Sequence, residues 1–432
     1  MRHRSSGQTT SSPSLFALGL VLWVAIMVLT GTYLRVRAIE EAAQMDWLVA
    51  ARLAACMLGG AIGVLLLARG EWRGPATTAV AAYVGAAALS ALFTPHKTLV
   101  LGYWVLLAGG VALTIGLVAS ADERDLLRIE RTWLFVMVLL LIKDALIGVL
   151  APQLQEAYGA EGPTRLGMGV THANALGFGA SLAFWLSFVP AIGGKRALLW
   201  LLRVLLVAIV ALSWSRNAMV SLAIGGLVRA WLVQSKRPLE GYHVRWALLS
   251  GVSAVVVLVG LLLSLNVKGV VDAALAFNRT TSLATVTRLT GRAEIWPLAV
   301  QKILADPLTT VFGHGFGASR MVLNDGRDLI GFYAANAHNT VLEVALTTGI
   351  VGLLAFVAMV VLFARWLVRY RPLERVAPQG MALRAAVVFT IIMVHSVTES
   401  VMGTRLGPVT LLWVFYLAVA DRLRHEYIPA GA

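Results

Sequence analysis

The chain has 432 residues, of which 59% are hydrophobic and only 13% are charged, and its net charge is +14. Because an ordinary soluble domain has about 25% charged residues, this composition excludes a water-soluble globular protein. It predicts a polytopic membrane protein of all-α fold. The single cysteine, Cys56, excludes an intrachain disulfide and a cysteine metal cluster.

About twelve apolar runs are long enough for membrane-spanning helices. They lie at residues 15–34, 47–68, 75–93, 98–119, 132–151, 173–192, 196–214, 217–234, 244–265, 340–364, 383–403 and 406–421. The first run follows basic residues, but it is too long for a signal-peptide core and has no clear cleavage site, so we predict an anchor. The stretch 196–234 fits either a hairpin or one bent helix with an interfacial piece.

These runs divide one integral domain into three parts. Residues 1–265 contain the first nine predicted spans, and residues 340–432 contain the last three and a tail. Between them, residues 266–339 form one long polar segment, which we expect to be partly helical.

Basic residues are concentrated in alternate loops, which predicts the sidedness of the chain. The short loops of one side carry only Arg35, Arg37, Lys97, Arg165, Arg216 and Arg405. By the positive-inside rule these loops lie outside, both termini lie in the cytoplasm, and residues 266–339 lie outside. Most of the net charge is then explained by topology and by contact with membrane lipids, so no nucleic-acid partner is expected.

The long outer segment has more basic than acidic residues, which predicts an anionic ligand on that face. Guanidinium groups bind phosphate oxygens in a bidentate way and would neutralise a diphosphate leaving group. Arg216 and Arg288 are the preferred pair, with Arg165 and Arg292 behind them. Taken singly, an arginine of an outer loop is more often a headgroup anchor.

His338 is the preferred general base. It precedes Thr340 and Glu343, whose spacing fits a capping box with Thr340 as the N-cap. The positive end of the helix dipole and nearby arginines favour a neutral imidazole, which can accept a proton from a hydroxyl. Taken alone, such a histidine is more often a capping or interfacial residue. Further predicted substrate-binding residues are His172, His314, Asn339 and Glu343.

Four other features of the sequence bear on the site. The glycines of Gly313–Gly317 predict a tight turn or a close approach of backbones. His395 and Glu399, four residues apart near Arg405, either pair or function, and Lys143 and Asp144 either pair or face a cavity. The outer segments contain no Asp-x-Asp pattern typical of metal-bound sugar nucleotides, so neither a metal nor a cofactor is expected.

At these residues the chain resembles the membrane domain shared by O-antigen ligases and O-antigen polymerases. The resemblance covers roughly residues 160–355 and rests on the order of several short motifs. These are Arg165 to Asn174, Ser215-Arg216-Asn217, Gly291-Arg292 with Trp296, Asp306-Pro307 before Gly313-x-Gly-x-Gly, and His338-Asn339 with Leu342, Glu343, Gly349 and Gly352.

The resemblance implies a bacterial inner-membrane glycosyltransferase of C-type architecture that acts on the periplasmic face. Its donor would be an undecaprenyl-diphosphate-linked glycan, and in a ligase the acceptor would be lipid A–core oligosaccharide, as in lipopolysaccharide biosynthesis. It also implies catalytic roles for His338, Arg216 and Arg288, in an inverting and metal-independent displacement.

Three alternatives remain open. A polymerase would use the same donor but often has two sizeable basic outer loops, whereas one loop dominates here. A protein O-oligosaccharyltransferase would transfer the glycan to a Ser or Thr hydroxyl. A lipid or polysaccharide transporter is a different class, and it would more often show internal repeats with polar residues in mid-membrane.

Overall fold

The computed structural model describes residues 13–31, 46–68, 74–150, 173–188, 196–234, 292–326, 334–368 and 380–427. Within these ranges it contains fourteen helices and no strand. The helices are α1 (Pro13–Gly31), α2 (Trp47–Ala68), α3 (Pro75–Ser90), α4 (Lys97–Ser120), α5 (Glu123–Leu150), α6 (Ala173–Leu186), α7 (Arg196–Leu212), α8 (Arg216–Gln234), α9 (Arg292–Ile303), α10 (Pro307–Phe312), α11 (Ser319–Asn324), α12 (Thr340–Val368), α13 (Met381–Ser396) and α14 (Pro408–Tyr427).

The long helices agree with the apolar runs. Of the twelve predicted spans, the run 244–265 lies outside the described residues, and each of the other eleven coincides with one helix. The ambiguous stretch 196–234 forms two helices, α7 and α8, which are separated at Trp214, a residue with a positive φ of 52°. The all-helical prediction is confirmed for the described part of the chain.

Five of these helices are long and apolar enough to cross a membrane: α1, α2, α4, α5 and α12. Helices α3, α6 and α13 are also apolar but shorter. Large apolar side chains such as Val21, Val64 and Leu354 are exposed on the helix surfaces. Because a soluble protein would not leave so many apolar residues exposed, these features support a multi-pass membrane protein. The total of twelve spans stays a prediction.

The helices pack closely where small residues face each other. Helix α2 runs along α4, and a Cβ atom added to Gly63 or Gly109 would overlap the backbone of the facing helix. In a bilayer, helices gain little from burying apolar surface, so close backbone contact through small residues is a main source of their association. Helix α12 packs in the same bundle along α3, and α13 packs along α8.

One buried ion pair connects three helices at one end of the bundle. Arg384, in the first turn of α13, donates from Nε to Glu130 Oε1 at 2.7 Å and from Nη2 to Glu130 Oε2 at 2.6 Å. The Tyr416 hydroxyl donates to Glu130 Oε1 at 2.5 Å. The side chains of Arg384 and Glu130 are only 3% and 0% exposed. We call these three residues the closed network.

The opposite end of the bundle is where α1, α5 and α13 end and where α6, α12 and α14 begin, and we call it the site end. It lies on the side that the basic residues predict to be outside. Helices α9 and α11 from the long polar segment are placed there on a small core of their own. That core includes Ile295, Leu298 and Leu323, and it also takes in Leu346 of α12. The polar segment is therefore packed on the bundle through α12.

Candidate active site

His338 lies in a strained turn immediately before α12. Its φ is 47°, a left-handed conformation that costs a residue with a side chain of the order of 1–3 kcal/mol. The turn is held by neighbouring groups: the His338 amide donates to Asn336 Oδ1 at 2.8 Å, and the Ala337 amide donates to Glu343 Oε2 at 2.8 Å. The Trp296 indole of α9 donates to the Ala337 carbonyl at 3.1 Å. Strain maintained by this many contacts is typical of a functional position.

The N-cap of α12 is Asn339, one residue earlier than the sequence predicts. Asn339 Oδ1 accepts from the Leu342 amide at 3.0 Å, as an N-cap side chain does. Thr340 has another role: its hydroxyl donates to the Glu399 carbonyl and accepts from the Val401 amide, both at 3.0 Å. The predicted capping box is therefore wrong in detail, because these tertiary bonds occupy the Thr340 hydroxyl.

Glu399 faces His338 across the site end. The distance from His338 Nδ1 to Glu399 Oε2 is 2.9 Å. When Nδ1 carries the proton it donates to the carboxylate, and Nε2 is left with a free lone pair. The carboxylate is placed to stabilise the imidazolium that forms once Nε2 has taken a proton. This arrangement fits a general base.

The second oxygen of Glu399 is held by α6. Asn174 Nδ2 donates to Glu399 Oε1 at 2.6 Å. The loop that carries Glu399 is fixed by two more amides, since Asn339 Nδ2 donates to the Val397 carbonyl at 3.0 Å and Asn217 Nδ2 donates to Thr398 Oγ1 at 2.6 Å. Three regions distant in sequence, at the starts of α6, α8 and α12, thus position the carboxylate and its loop. We call His338, Glu399 and Asn174 the open network.

A cavity of about 440 Å³ adjoins the open network. Its polar wall includes all three members of that network, together with Asn336, Ser319 and Ser400. Its apolar wall is formed by Met137, Leu140 and Leu141 of α5 and by the end of α1 at Thr30 and Gly31. A cavity with one polar and one apolar wall, at the end of a membrane bundle, suits an amphipathic substrate.

Among the described residues that line this cavity, two are arginines: Arg320 of α11 and Arg405. Arg216, preferred from sequence, is the first residue of α8 and precedes Asn217, but it is not among these lining residues. Arg292 is the first residue of α9. Arg288, Arg165 and His172 lie outside the described residues, so their predicted roles stay predictions.

The glycine-rich segment closes against a break in α12. Gly349 has a φ of 66° and is not helical. The His314 and Gly315 amides donate to the carbonyls of Leu346 and Thr347 at 2.9 and 3.0 Å, in place of a continuous helix ladder. A Cβ on Gly313 or Gly349 would overlap the facing backbone. The predicted close approach of backbones is therefore observed.

Three residues predicted to bind substrate make contacts within the chain, and their binding roles stay predictions. His314 Nε2 lies 2.9 Å from the Lys302 carbonyl at the end of α9. Asn339 caps α12, and Glu343 is fully buried under the His338 turn.

The Lys143–Asp144 pair lies at the cavity. Asp144 lines the cavity, and its Oδ1 lies 2.7 Å from the Nζ of Lys143. No cluster of three His, Cys, Asp or Glu side chains able to hold a metal occurs in the described part of the chain.

Sequence reasoning undervalued Glu399 and did not select Asn174, Arg320 or Arg405. In the sequence, Glu399 is marked only as an ionisable residue near the end of a predicted span, four residues after His395. The ring of His395 is buried and stacks on Phe178, with 3.7 Å between the ring centroids. Asn174 was part of the quoted motif that starts at Arg165.

The helices and the site define a multi-pass membrane protein with a histidine–carboxylate pair at one end of its bundle. Residues 201–357 match the family model described as O-antigen ligase. The match covers a little over a third of the chain and supports membership of the O-antigen ligase family, which confirms the resemblance predicted from sequence. The matched range includes Gly313–Gly317, His338 and the part of α12 up to residue 357, which contains Gly349. No curated protein matches the chain.

Proposed function

We propose that the protein is an O-antigen ligase that transfers a glycan from undecaprenyl diphosphate to a sugar hydroxyl of lipid A–core oligosaccharide. The observation that carries this proposal is the His338–Glu399 pair on the wall of an amphipathic cavity that also bears arginines. The family match supports transfer in lipopolysaccharide-related glycan assembly. In this proposal the protein lies in the inner membrane with both termini cytoplasmic and the site end periplasmic.

His338 acts as the general base in this reaction. The acceptor hydroxyl gives its proton to Nε2 while its oxygen attacks the anomeric carbon of the donor sugar. The bond from that carbon to the diphosphate oxygen breaks, and the configuration is inverted. Glu399 receives the Nδ1 hydrogen bond and stabilises the imidazolium, so the positive charge forms next to a carboxylate already in place. The hydrogen bond from Asn174 fixes the position of this carboxylate.

The leaving diphosphate requires cationic groups rather than an acid. Arg320 and Arg405 line the cavity and present permanent positive charge to it. Arg216 and Arg288, selected from the sequence, are proposed as further ligands of the diphosphate. Because guanidinium groups can balance the developing charge, the proposed step needs no metal.

The remaining predicted binding residues divide into two groups. Arg165, Arg292 and His172 are proposed substrate contacts from the outer loops. Asn339, Glu343 and His314 are proposed positioning residues, since their side chains hold the His338 turn and the glycine-rich segment. In this proposal the segment 266–339 is periplasmic and covers the site. The membrane-spanning helices before it belong to residues 1–265, and those after it belong to residues 340–432.

An acceptor competition assay tests this function. The purified full-length protein is given an undecaprenyl-diphosphate-linked glycan with lipid A–core, with a second lipid-linked glycan, or with a Ser- and Thr-containing peptide, each with and without chelator. We expect transfer to lipid A–core that chelator does not reduce. Preferred transfer to the lipid-linked glycan would make the protein a polymerase, and transfer to the peptide would make it a protein glycosyltransferase. Movement of lipid without a new glycosidic bond would indicate a transporter.

A further inference from the structure

A cleft between α1 and α5 lies next to the active-site cavity on the lipid-facing surface. Its volume is about 470 Å³, and its walls are Val24 and Val28 of α1 and Phe135, Val136, Leu139 and Leu140 of α5. It runs along α5 from Thr132 to Lys143, which is roughly 16 Å at the helical rise of about 1.5 Å per residue. Phe135 and Leu139 are 63% and 51% exposed, so the cleft is open to the bilayer.

The cleft and the cavity share a wall. Leu140 lines both of them. One turn further along α5, Lys143 lines the cleft and Asp144 lines the cavity, and their charged groups pair at 2.7 Å. Gly31 allows this junction to be narrow, because a Cβ there would lie only 2.7 Å from Leu140. A molecule with a hydrocarbon part in the cleft therefore has its polar end at the level of the cavity.

The charged pair marks where the cleft stops being apolar. Among the described residues that line the cleft, Lys143 is the charged one, and it lies at the end towards the site. Ionisable side chains within a membrane helix are costly, and they usually mark a path for a polar or charged group. The pair thus has the polarity expected at the boundary between a lipid chain and its phosphate headgroup.

We propose that this cleft binds the polyprenyl chain of the lipid-diphosphate donor, with the diphosphate in the cavity beside His338. The proposal rests on the proposed function for the identity of the donor. A cleft between two adjacent helices has room for one hydrocarbon chain, and a polyprenyl diphosphate has one. Lipid A has several acyl chains, which need a broader surface, so the acceptor fits the cleft less well.

The test compares donors of different chain length in variants that fill the cleft. Leu139→Trp and Val28→Trp add an indole from opposite walls at positions already exposed to lipid. For an undecaprenyl-diphosphate donor we expect KM to rise about tenfold, because contacts of a few methylene groups are lost. For a donor with a geranyl-length chain, which does not reach far into the cleft, KM should stay unchanged.

Leu65→Trp on α2 is the matched control, since Leu65 is 52% exposed and Leu139 is 51% exposed. This control should change neither KM. The proposal is overturned if both cleft variants leave the long-chain KM unaltered, or if they raise the KM of both donors equally.

A photocrosslinking arm separates this proposal from the proposed function. Benzoylphenylalanine is placed at Phe135 or, as a control, at Leu65, and labelled undecaprenyl diphosphate is added to the otherwise unaltered protein. Crosslinking at position 135 in excess of position 65 supports the cleft, even if the wild-type protein transfers no glycan from either donor. Equal crosslinking at the two positions means that the cleft holds bulk lipid, and the proposal fails.

Discussion

The closed network and the open network are built from similar parts and differ in what surrounds them. In each, a carboxylate is held by a cationic or ionisable side chain and by a second donor: Glu130 by Arg384 and Tyr416, and Glu399 by His338 and Asn174. Glu130 and Arg384 are almost completely buried, whereas 23% of His338 and 13% of Glu399 are exposed. The open network lines the cavity of about 440 Å³, whereas no member of the closed network lines it.

The residue types follow this difference. Arginine keeps its charge at any ordinary pH, so the closed network cannot exchange a proton with a reactant and is suited to joining α5, α13 and α14. Histidine has one nitrogen for the carboxylate and one for a reactant. The comparison indicates that the closed network stabilises the bundle and the open network performs chemistry, and three variants test this division.

The largest effect on turnover is expected for His338→Ala. Removing a general base lowers kcat by about 10²–10⁴-fold. The melting temperature should change little, because the turn is also held through Ala337 and through the bond from the backbone amide of residue 338 to Asn336. Glycan transfer and thermal unfolding are measured on the same preparation. Transfer within a few-fold of the wild-type rate would remove His338 from the chemical step.

Arg384→Met tests the closed network and should affect stability instead. Removing one partner leaves Glu130 buried without its counter-charge, which costs about 3–5 kcal/mol. We expect a lower unfolding temperature in detergent and unchanged transfer per folded molecule. If transfer is lost while the unfolding temperature is retained, the closed network has a role in the reaction. A double variant that also replaces Glu130 with Leu should recover much of the stability.

The smallest of the three effects is expected for Glu399→Gln. The amide keeps the shape of the side chain but loses the charge that stabilises the imidazolium, and a hydrogen bond to a charged group contributes about 1.5–3 kcal/mol. We therefore expect kcat to fall about 10–100-fold, with the donor KM and the unfolding temperature unchanged. Glu399→Asp, which restores the charge, serves as the control. A variant with wild-type kcat would show that His338 is positioned by other groups.

Much of the fold follows from local sequence, because membrane helices depend on the length of apolar runs. Eleven of the twelve predicted spans coincide with helices for this reason. The N-cap of α12 was placed one residue late, because local pattern favours Thr340 and the structure gives that hydroxyl to Glu399 and Val401. The predicted span at 383–403 also ends earlier, at Ser396, since the chain turns there to present Glu399.

The site was predictable only in part. His338 stands out by its position before a helix, but its partner Glu399 is 61 residues away and Asn174 is 225 residues from Glu399. Such contacts are decided by how the helices pack, which no local pattern contains. The same holds for Arg320 and Arg405, which appear among many basic residues in the sequence and are selected only by their place on the cavity wall.

The interruption of α12 at Gly349 has a consequence for how the protein is made. The carbonyls of Leu346 and Thr347 find their donors in the glycine-rich segment, which leaves the ribosome before α12 does. In hydrocarbon, unpaired carbonyls are expensive, so the first turns of this helix are complete only when the glycine-rich segment has docked against them. The glycine-rich segment and the helix that begins beside His338 therefore have to fold together.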